Sequence, residues 1–186
     1  MLPFQDLASR AAAEIRDATA AVDPAEFAAL VTAIAKSGKI ACYGVGREGL
    51  MMRALTMRLY HMGLNAHVVG DMTTPPLGAG DLLIVSAGPG DFSTVAALAG
   101  VAKSAGAQVA CITAQPTGPV PRAADLVLTI PAQTMANDQT GAVSVLPMGS
   151  LYEGAQYLTF ELLVLAVRDH LGLAPDAMRA RHTNLE

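Results

Sequence analysis

Short apolar runs alternate with longer segments of helical periodicity through the middle of the chain. The apolar runs are strand-like and lie at 39–45, 66–70, 81–87, 107–113 and 125–130. The helical patterns lie at 49–63, 92–105 and 150–171, with a short turn of helix near 117–124. Strands that alternate with helices predict βαβ units, right-handed crossovers and a parallel sheet covered on both faces.

Two alanine-rich helices are predicted before the first strand, at 4–22 and 24–37. Asp23 is a typical N-cap, Pro24 suits the first helical position, and Gly38 ends the second helix. The pattern therefore predicts a three-layer α/β/α sandwich with a five-stranded parallel sheet and helical extensions at both termini.

The same pattern predicts one domain over residues 1–186. Its parts are N-terminal helices at 4–37, an α/β core at 38–130, a polar loop at 131–149, and C-terminal helices and a tail at 150–186. A loop as long as 131–149 is typically either functional or disordered.

Composition narrows the classes of partner. Hydrophobic residues make up 52% of the chain and charged residues only 15%, which predicts that part of the surface is covered by other subunits. The net charge of −4 argues against nucleic acid, whose backbone requires a basic footprint. We therefore expect a small-molecule ligand and a homo-oligomer.

The segment from Leu151 to Leu171 is the one apolar stretch that could suggest a membrane span. It contains polar and charged residues, whereas a span needs roughly 20 mostly apolar ones; among them are Glu153, Gln156, Glu161, Arg168 and Asp169. We interpret it as a long interface helix. No signal-peptide pattern is evident at the start of the chain, so the expected location is the cytoplasm.

Two cysteines, Cys42 and Cys111, fall inside apolar strand-like runs. We interpret them as small core residues, and their spacing suits no metal site. We therefore expect no metal site in this protein.

Three loops follow strand-like runs, at 44–49, 86–94 and 113–119. In open parallel sheets, ligands bind beyond the carboxyl ends of the strands. The first loop fits G-x-G-x-x-G, and Asp71 lies 22 residues beyond Gly49, which would suit a dinucleotide. Against that interpretation, two helices precede the first strand, a second glycine loop follows the third, and the chain offers no second domain.

Six segments carry a more specific signal. They are GVGREG at 44–49, MRLYHMGL at 57–64, VGDMTTP at 69–75, GDLLI at 80–84, LPMGSLYE at 146–153 and RHTNLE at 181–186. In this order they resemble the landmarks of the 6-phospho-3-hexuloisomerases, within the sugar isomerase (SIS) domain family of flavodoxin-like folds. The resemblance covers nearly the whole chain.

The resemblance implies an aldose–ketose type isomerase that interconverts 3-hexulose 6-phosphate and fructose 6-phosphate. It implies no metal and no organic cofactor. It also implies a homotetramer, or a dimer, whose active sites lie between subunits.

Two catalytic residues follow from the resemblance, Glu153 and His182. Moving a carbonyl between C2 and C3 requires proton removal from carbon, a cis-enediol, and return of the proton to the neighbouring carbon. Glu153 is the expected base, provided that a dry site raises its pKa. His182 would shuttle protons between oxygens or open a cyclic substrate.

The position of His182 near the chain end suggests that it reaches a neighbouring subunit's site, with Asn184 and Glu186 anchoring the tail. Simpler interpretations stay open for each residue. Glu153 would then only complement a helix dipole, and His182 would be an ordinary tail residue.

The expected substrate-binding residues lie on the two glycine loops and the helix after the first. They are Gly46, Arg47, Glu48, Ser86, Gly88, Gly90, Ser93, Thr94, Arg58 and His61. For Arg58 and His61, three residues apart, a solvated or interface face is an alternative.

Both glycine loops depart from the family pattern, in which serine and threonine hydroxyls hold phosphate at a helix N-terminus. Glu48 replaces a serine in the first loop, while Ala87, Pro89 and Phe92 replace hydroxyls in the second. Each lost hydrogen bond to a charged group is worth about 1.5–3 kcal/mol. Together the substitutions predict that the phosphate site of the family is dismantled in this chain.

Several outcomes remain compatible with this departure. Arg47 could neutralise Glu48, Ser86, Ser93 and Thr94 could supply displaced hydroxyls, or arginines (Arg47, Arg53, Arg58) could hold phosphate in another pose. Alternatively, the substrate is a sugar without phosphate and Phe92 forms an apolar wall, or the protein is a non-catalytic sugar-binding module.

Overall fold

Five parallel strands form one sheet in the order β2-β1-β3-β4-β5 in the computed structural model, which describes residues 3–139 and 144–185. The strands are β1 (Ile40–Tyr43), β2 (Ala66–Val68), β3 (Leu82–Ser86), β4 (Gln108–Thr113) and β5 (Leu126–Thr129). The helices are α1 (Phe4–Ala20), α2 (Pro24–Lys36), α3 (Gly46–His61), α4 (Ser93–Ser104), α5 (Pro119–Ala123), α6 (Ser150–His170) and α7 (Pro175–Arg179).

Alternate residues of the central strands point into two separate cores. Ile40, Cys42, Leu82 and Ile84 belong to the core shared with α2, α3 and α6, whereas Ala41, Leu83 and Val85 belong to the core under α4 and α5. Because strand side chains alternate with a period of two, a sheet covered on both faces must be apolar throughout. The three-layer α/β/α architecture predicted from the sequence is confirmed.

The start of α3 differs from the prediction. The pattern placed the helix at 49–63, but it begins at Gly46, so the glycine loop is its first turn. A Cβ at Gly49 would lie 2.4 Å from the carbonyl oxygen of Gly44. Gly49 therefore serves close packing of the helix against the end of β1, which explains the glycine pattern without a dinucleotide.

Asp71 is half-exposed after β2 and its carboxylate lies 3.8 Å from the guanidinium of Arg53. It faces a different cavity from the one described below. The structure therefore adds nothing to the dinucleotide interpretation.

Two further predictions concern burial and length. Cys42 and Cys111 are buried in the core, and burial raises the pKa of each thiol to about 12.

In the described part of the chain no single helix is long and apolar enough to cross a membrane. The pair α1 and α2, bent by 76°, meets such a test only by length and composition.

Candidate active site

A cavity of about 480 Å³ opens beyond the carboxyl ends of β1 and β3. Its wall is formed by the first turn of α3, Phe92 before α4, Met135, and the segment from Pro147 to Glu153. Two cavities of about 670 Å³ lie elsewhere, but neither is lined by Glu48 or Glu153. The smaller cavity is therefore the one lined by both Glu48 and Glu153.

Glu48 is buried at the inner end of this cavity, with 7% of its surface exposed. One carboxylate oxygen, Oε2, accepts hydrogen bonds from the Ser86 hydroxyl at 2.5 Å and the Gly88 amide at 3.0 Å. Desolvation raises the pKa of Glu48, these two hydrogen bonds oppose the shift, and nearby Glu153 adds to it. The net effect is that the pKa of Glu48 is raised above its ordinary value.

Ser86 is the centre of a buried polar cluster, which consists of Glu48, Ser86, Tyr152 and Gln156. The Gln156 amide donates to Ser86 Oγ at 2.9 Å, and the Tyr152 hydroxyl lies 3.3 Å from the same oxygen. Because the single hydroxyl proton of Ser86 goes to Glu48, Tyr152 must be the donor of its pair. Tyr152 and Gln156 therefore donate to Ser86, and Ser86 donates to the Glu48 carboxylate.

Glu153 lies in the first turn of α6 and forms an ion pair with Arg47, with 2.8 Å between Oε2 and Nη2. Desolvation raises the pKa of Glu153, and the charge and hydrogen bond of Arg47 oppose this without cancelling it. A carboxylate with a raised pKa in a cavity has the properties of a general base.

Arg47 is held by two further contacts, to the Ser150 hydroxyl at 3.0 Å and the Met148 carbonyl at 2.9 Å. Met148 has φ of 54° and Gly149 has φ of 82°, so two consecutive residues adopt the left-handed conformation. Non-glycine residues rarely do so, and such strain is often found at ligand sites. Here it turns the Met148 carbonyl toward Arg47.

The alternative in which Arg47 neutralises Glu48 is not the arrangement in the structure, where Arg47 pairs with Glu153. Adjacent residues on a helix project in different directions and do not face each other. Arg47 points toward α6, while Glu48 points toward the end of β3. In the described residues no ion pair reaches Glu48.

The structure brings only some of the predicted binding residues together. Gly46, Arg47, Glu48 and Glu153 line the cavity, and Ser86 and Gly88 contact Glu48. Gly90, with φ of 86°, packs instead against the turn at Gln115 and Gly118. Ser93 and Thr94 are exposed at the start of α4 and do not line the cavity.

Arg58 and His61 lie at the other end of α3. Arg58 forms an ion pair with Glu161 at 3.3 Å, and the His61 ring stacks near His182 with 5.2 Å between ring centroids. At 1.5 Å per residue, His61 is about 20 Å along the helix from Glu48. Within one chain His182 is therefore not beside Glu153.

The role predicted for His182 in a neighbouring subunit stays a prediction, and Glu186 lies outside the described residues. Within the described ranges no group of three or more histidine, cysteine or acidic side chains could hold a metal ion.

Tyr152 and Gln156 were missed by the sequence interpretation. Their signal is that the two polar residues lie four apart, and therefore on one face of the predicted helix.

Comparison with known proteins gives a consistent result. The SIS domain family model matches residues 33–158. A 3-hexulose-6-phosphate isomerase of Mycobacterium gastri is 40% identical over 173 residues, covering 93% of this chain and 86% of the relative. The 3-hexulose-6-phosphate isomerase of Bacillus subtilis is 35% identical, covering 93% of this chain and 94% of the relative.

Solved structures agree with the sequence relatives. A hypothetical protein from Methanococcus jannaschii, for which a molecular function of 3-hexulose-6-phosphate isomerase was inferred, has a TM-score of 0.83 and 28% identity. The match covers 96% of this chain and 98% of that one.

Proposed function

Because the chain belongs to the SIS domain family, we propose that it is a sugar-phosphate isomerase that interconverts 3-hexulose 6-phosphate and fructose 6-phosphate. The two curated relatives carry the name of that activity at 40% and 35% identity over most of the chain. The observation that supports the activity most directly is the Arg47–Glu153 pair at 2.8 Å on the wall of the cavity.

Glu153 is the proposed base. Its carboxylate removes the proton from C2 of the 3-ketose, the C–H electron pair forms the C2=C3 double bond, and the C3 oxygen takes up a proton. Return of the proton to C3 and loss of the proton from the C2 hydroxyl give the 2-ketose. Neither direction requires an external oxidant or reductant.

Arg47 is proposed to hold this base in position and to stabilise the enediol oxygens. Its guanidinium contacts Glu153, Ser150 and the Met148 carbonyl, so the side chain has little freedom to leave the site. Charge placed in advance where negative charge develops needs no reorganisation during the reaction.

The active enzyme is proposed to be a homotetramer, or a dimer, in which His182 of one subunit completes a neighbour's site. Exposed apolar side chains on α3 and α6 support an interface on those two helices. They are Leu50, Met57, Tyr60, Tyr157, Leu158, Leu162 and Leu165. The two helices pack against each other, and large exposed apolar patches typically mark protein–protein contacts. The cytoplasmic location stays an expectation.

Glu153→Gln tests the proposed base. We expect kcat to fall by about 10³-fold, within the range for loss of a general base, while fructose 6-phosphate still binds in a titration calorimeter. Asp169→Asn is the matched control, since Asp169 lies exposed near the other end of the same helix, and its kcat should match the parent value. An unchanged kcat in Glu153→Gln would rule out the base.

A second candidate is an isomerase of the same fold that acts on a sugar without phosphate. The burial of Glu48 in the cavity favours it, because a carboxylate about 4 Å from one phosphate charge costs about 4 kcal/mol at an effective dielectric of 20. If millimolar fructose raises the melting temperature and fructose 6-phosphate does not, this candidate replaces the first. If neither sugar is turned over, a non-catalytic sugar-binding module remains.

A further inference from the structure

The two oxygens of the Glu48 carboxyl group have different surroundings. Oε2 accepts both hydrogen bonds, from the Ser86 hydroxyl and the Gly88 amide. In the described residues no donor contacts Oε1, and it is not among the fully buried polar atoms that lack a partner. Since Glu48 lines the cavity, Oε1 is the oxygen available to a bound ligand.

The hydrogen bonds of the buried cluster run in one direction. Tyr152 and Gln156 donate to Ser86, and Ser86 donates to Oε2. Because this chain of donors ends on Oε2, a proton on the carboxyl group belongs on Oε1. A protonated Glu48 would therefore present an O–H donor to the cavity.

The charges around Glu48 favour that protonated form when an anion enters. From α6, Glu153 adds a negative charge and Tyr152 a neutral hydroxyl, and from β4 the thiol of Cys111 faces the same region. The neighbouring cation on α3, Arg47, is already paired with Glu153. A phosphate dianion in this cavity would meet an unneutralised carboxylate at its inner end.

We propose that Glu48 binds the phosphate group of the substrate as the neutral carboxylic acid, with Oε1–H donating to a phosphate oxygen, so that substrate binding takes up one proton. This proposal rests on the proposed function, since it assumes a phosphorylated sugar. It assigns to Glu48 the task that hydroxyl donors would otherwise perform in this loop. It also explains how a phosphate enters a cavity that contains two carboxyl groups.

Glutamine is a close mimic of the proposed bound state. In Glu48→Gln the amide oxygen can replace Oε2 and accept from Ser86 and Gly88, while the amide N–H₂ replaces Oε1–H and donates to phosphate. The variant thus keeps every contact of the buried cluster but removes the titration. At a pH at which Glu48 of the parent protein is ionised, the variant should bind the phosphorylated substrate more tightly than the parent does.

The test is titration calorimetry with fructose 6-phosphate between about pH 7.5 and 9, where the phosphate is a dianion because its second pKa is about 6. Binding heats are measured in buffers of different ionisation enthalpy, which gives the number of protons taken up. For the parent protein we expect uptake of about one proton and a Kd that rises by about tenfold per pH unit, the slope for one proton linked to binding.

For Glu48→Gln we expect no proton uptake, a Kd independent of pH, and binding at least tenfold tighter than the parent at about pH 8. Asp169→Asn, at an exposed position near the other end of α6, is the control for loss of a carboxylate, and its proton uptake should equal that of the parent. Fructose, which lacks phosphate, should bind without proton uptake.

Binding of fructose 6-phosphate by the parent without proton uptake would overturn the proposal and leave the isomerase function standing. Uptake that persists in Glu48→Gln would also overturn it, because the proton would then reside on the phosphate or another group. If Glu48→Gln fails to fold, Glu48→Ser replaces it in the same titration, since it also removes the titrating carboxyl, and uptake that persists there would overturn the proposal. Absence of both binding and turnover of fructose 6-phosphate would refute the proposed function itself.

Discussion

Two carboxylates near opposite ends of β3 have the same burial and opposite electrostatics. Asp81, just before the strand, and Glu48, which contacts Ser86 at its end, each expose 7% of their surface. Asp81 accepts from the Lys39 and Gly78 amides and lies 3.1 Å from the Lys39 ammonium. Glu48 accepts two hydrogen bonds, and among the residues that the structure describes no cation forms an ion pair with it.

The pKa shifts of the two groups follow from this difference. Desolvation raises both, but hydrogen bonds from Gly78 and Lys39, with the Lys39 charge, bring the pKa of Asp81 below its ordinary value. At Glu48 desolvation prevails and the neighbouring carboxylate Glu153 adds to it. Burial alone therefore does not set the charge state. A carboxylate that holds two loops together is neutralised by a cation, and one that lines a cavity is left to respond to a ligand.

Matched amide substitutions give the largest expected contrast. In Asp81→Asn one buried N–H faces an amide N–H₂ and the ion pair is lost, so the free energy of unfolding should fall by about 3 kcal/mol. In Glu48→Gln the amide oxygen keeps both donors, and the change should stay under about 1 kcal/mol. Urea unfolding at neutral pH measures both. Equal losses of unfolding free energy in the two variants would contradict the difference between the two carboxylates.

The glycine beside each carboxylate gives the next contrast. A Cβ at Gly88 would lie 2.7 Å from Glu48 Oε1 and 2.8 Å from the buried Tyr152 ring, whereas one at Gly38 would lie 3.3 Å from Asp81 Oδ1. Gly88→Ala should therefore cost about 2 kcal/mol, as overpacking does, and Gly38→Ala less than about 1 kcal/mol. Thermal unfolding measures the stability of both variants. A larger loss of stability in Gly38→Ala than in Gly88→Ala would contradict this prediction.

The smallest expected effect is the pH dependence of these contributions. Asp81 has a lowered folded-state pKa, so its contribution is present above its unfolded value and is lost as pH falls through the folded value. Glu48 has a raised folded-state pKa, so its contribution is full below the unfolded value and is lost as pH rises through the folded value. Relative to the parent protein, Glu48→Gln should become more stable as pH rises above about 4.5. The loss of unfolding free energy caused by Asp81→Asn should be smaller at low pH than at neutral pH. Unfolding midpoints measured from pH 3 to 8 check both signs, and parallel profiles would contradict them.

The positions of the strands and helices could be predicted from the chain because each leaves a local pattern. The five apolar runs all became strands of one parallel sheet, and the two predicted N-terminal helices end at Ala20 and Lys36. The start of α3 was misplaced because Gly46 and Gly49 suggested a loop. Their actual role, close packing of a helix against β1, depends on a contact that composition does not show.

The candidate site was predicted only as far as its loops. Parallel strands bring the ends of β1 and β3 to the same edge of the sheet, so Glu48 and Ser86 could be expected near each other. The partner of Arg47 could not be predicted this way. Arg47 and Glu153 are more than 100 positions apart, and no local periodicity relates them.

By itself, the amino-acid sequence determined the order of the elements, the two-sided burial of the sheet and the motifs that it shares with the SIS family. Those features depend on neighbouring residues and on apolar periodicity, which any window of the chain carries. Only the tertiary structure decided that Arg47 pairs with Glu153, while Glu48 accepts hydrogen bonds from a hydroxyl and an amide. That choice depends on the direction of two adjacent side chains on α3 and on where α6 begins, because charge pairing is set by distance in space.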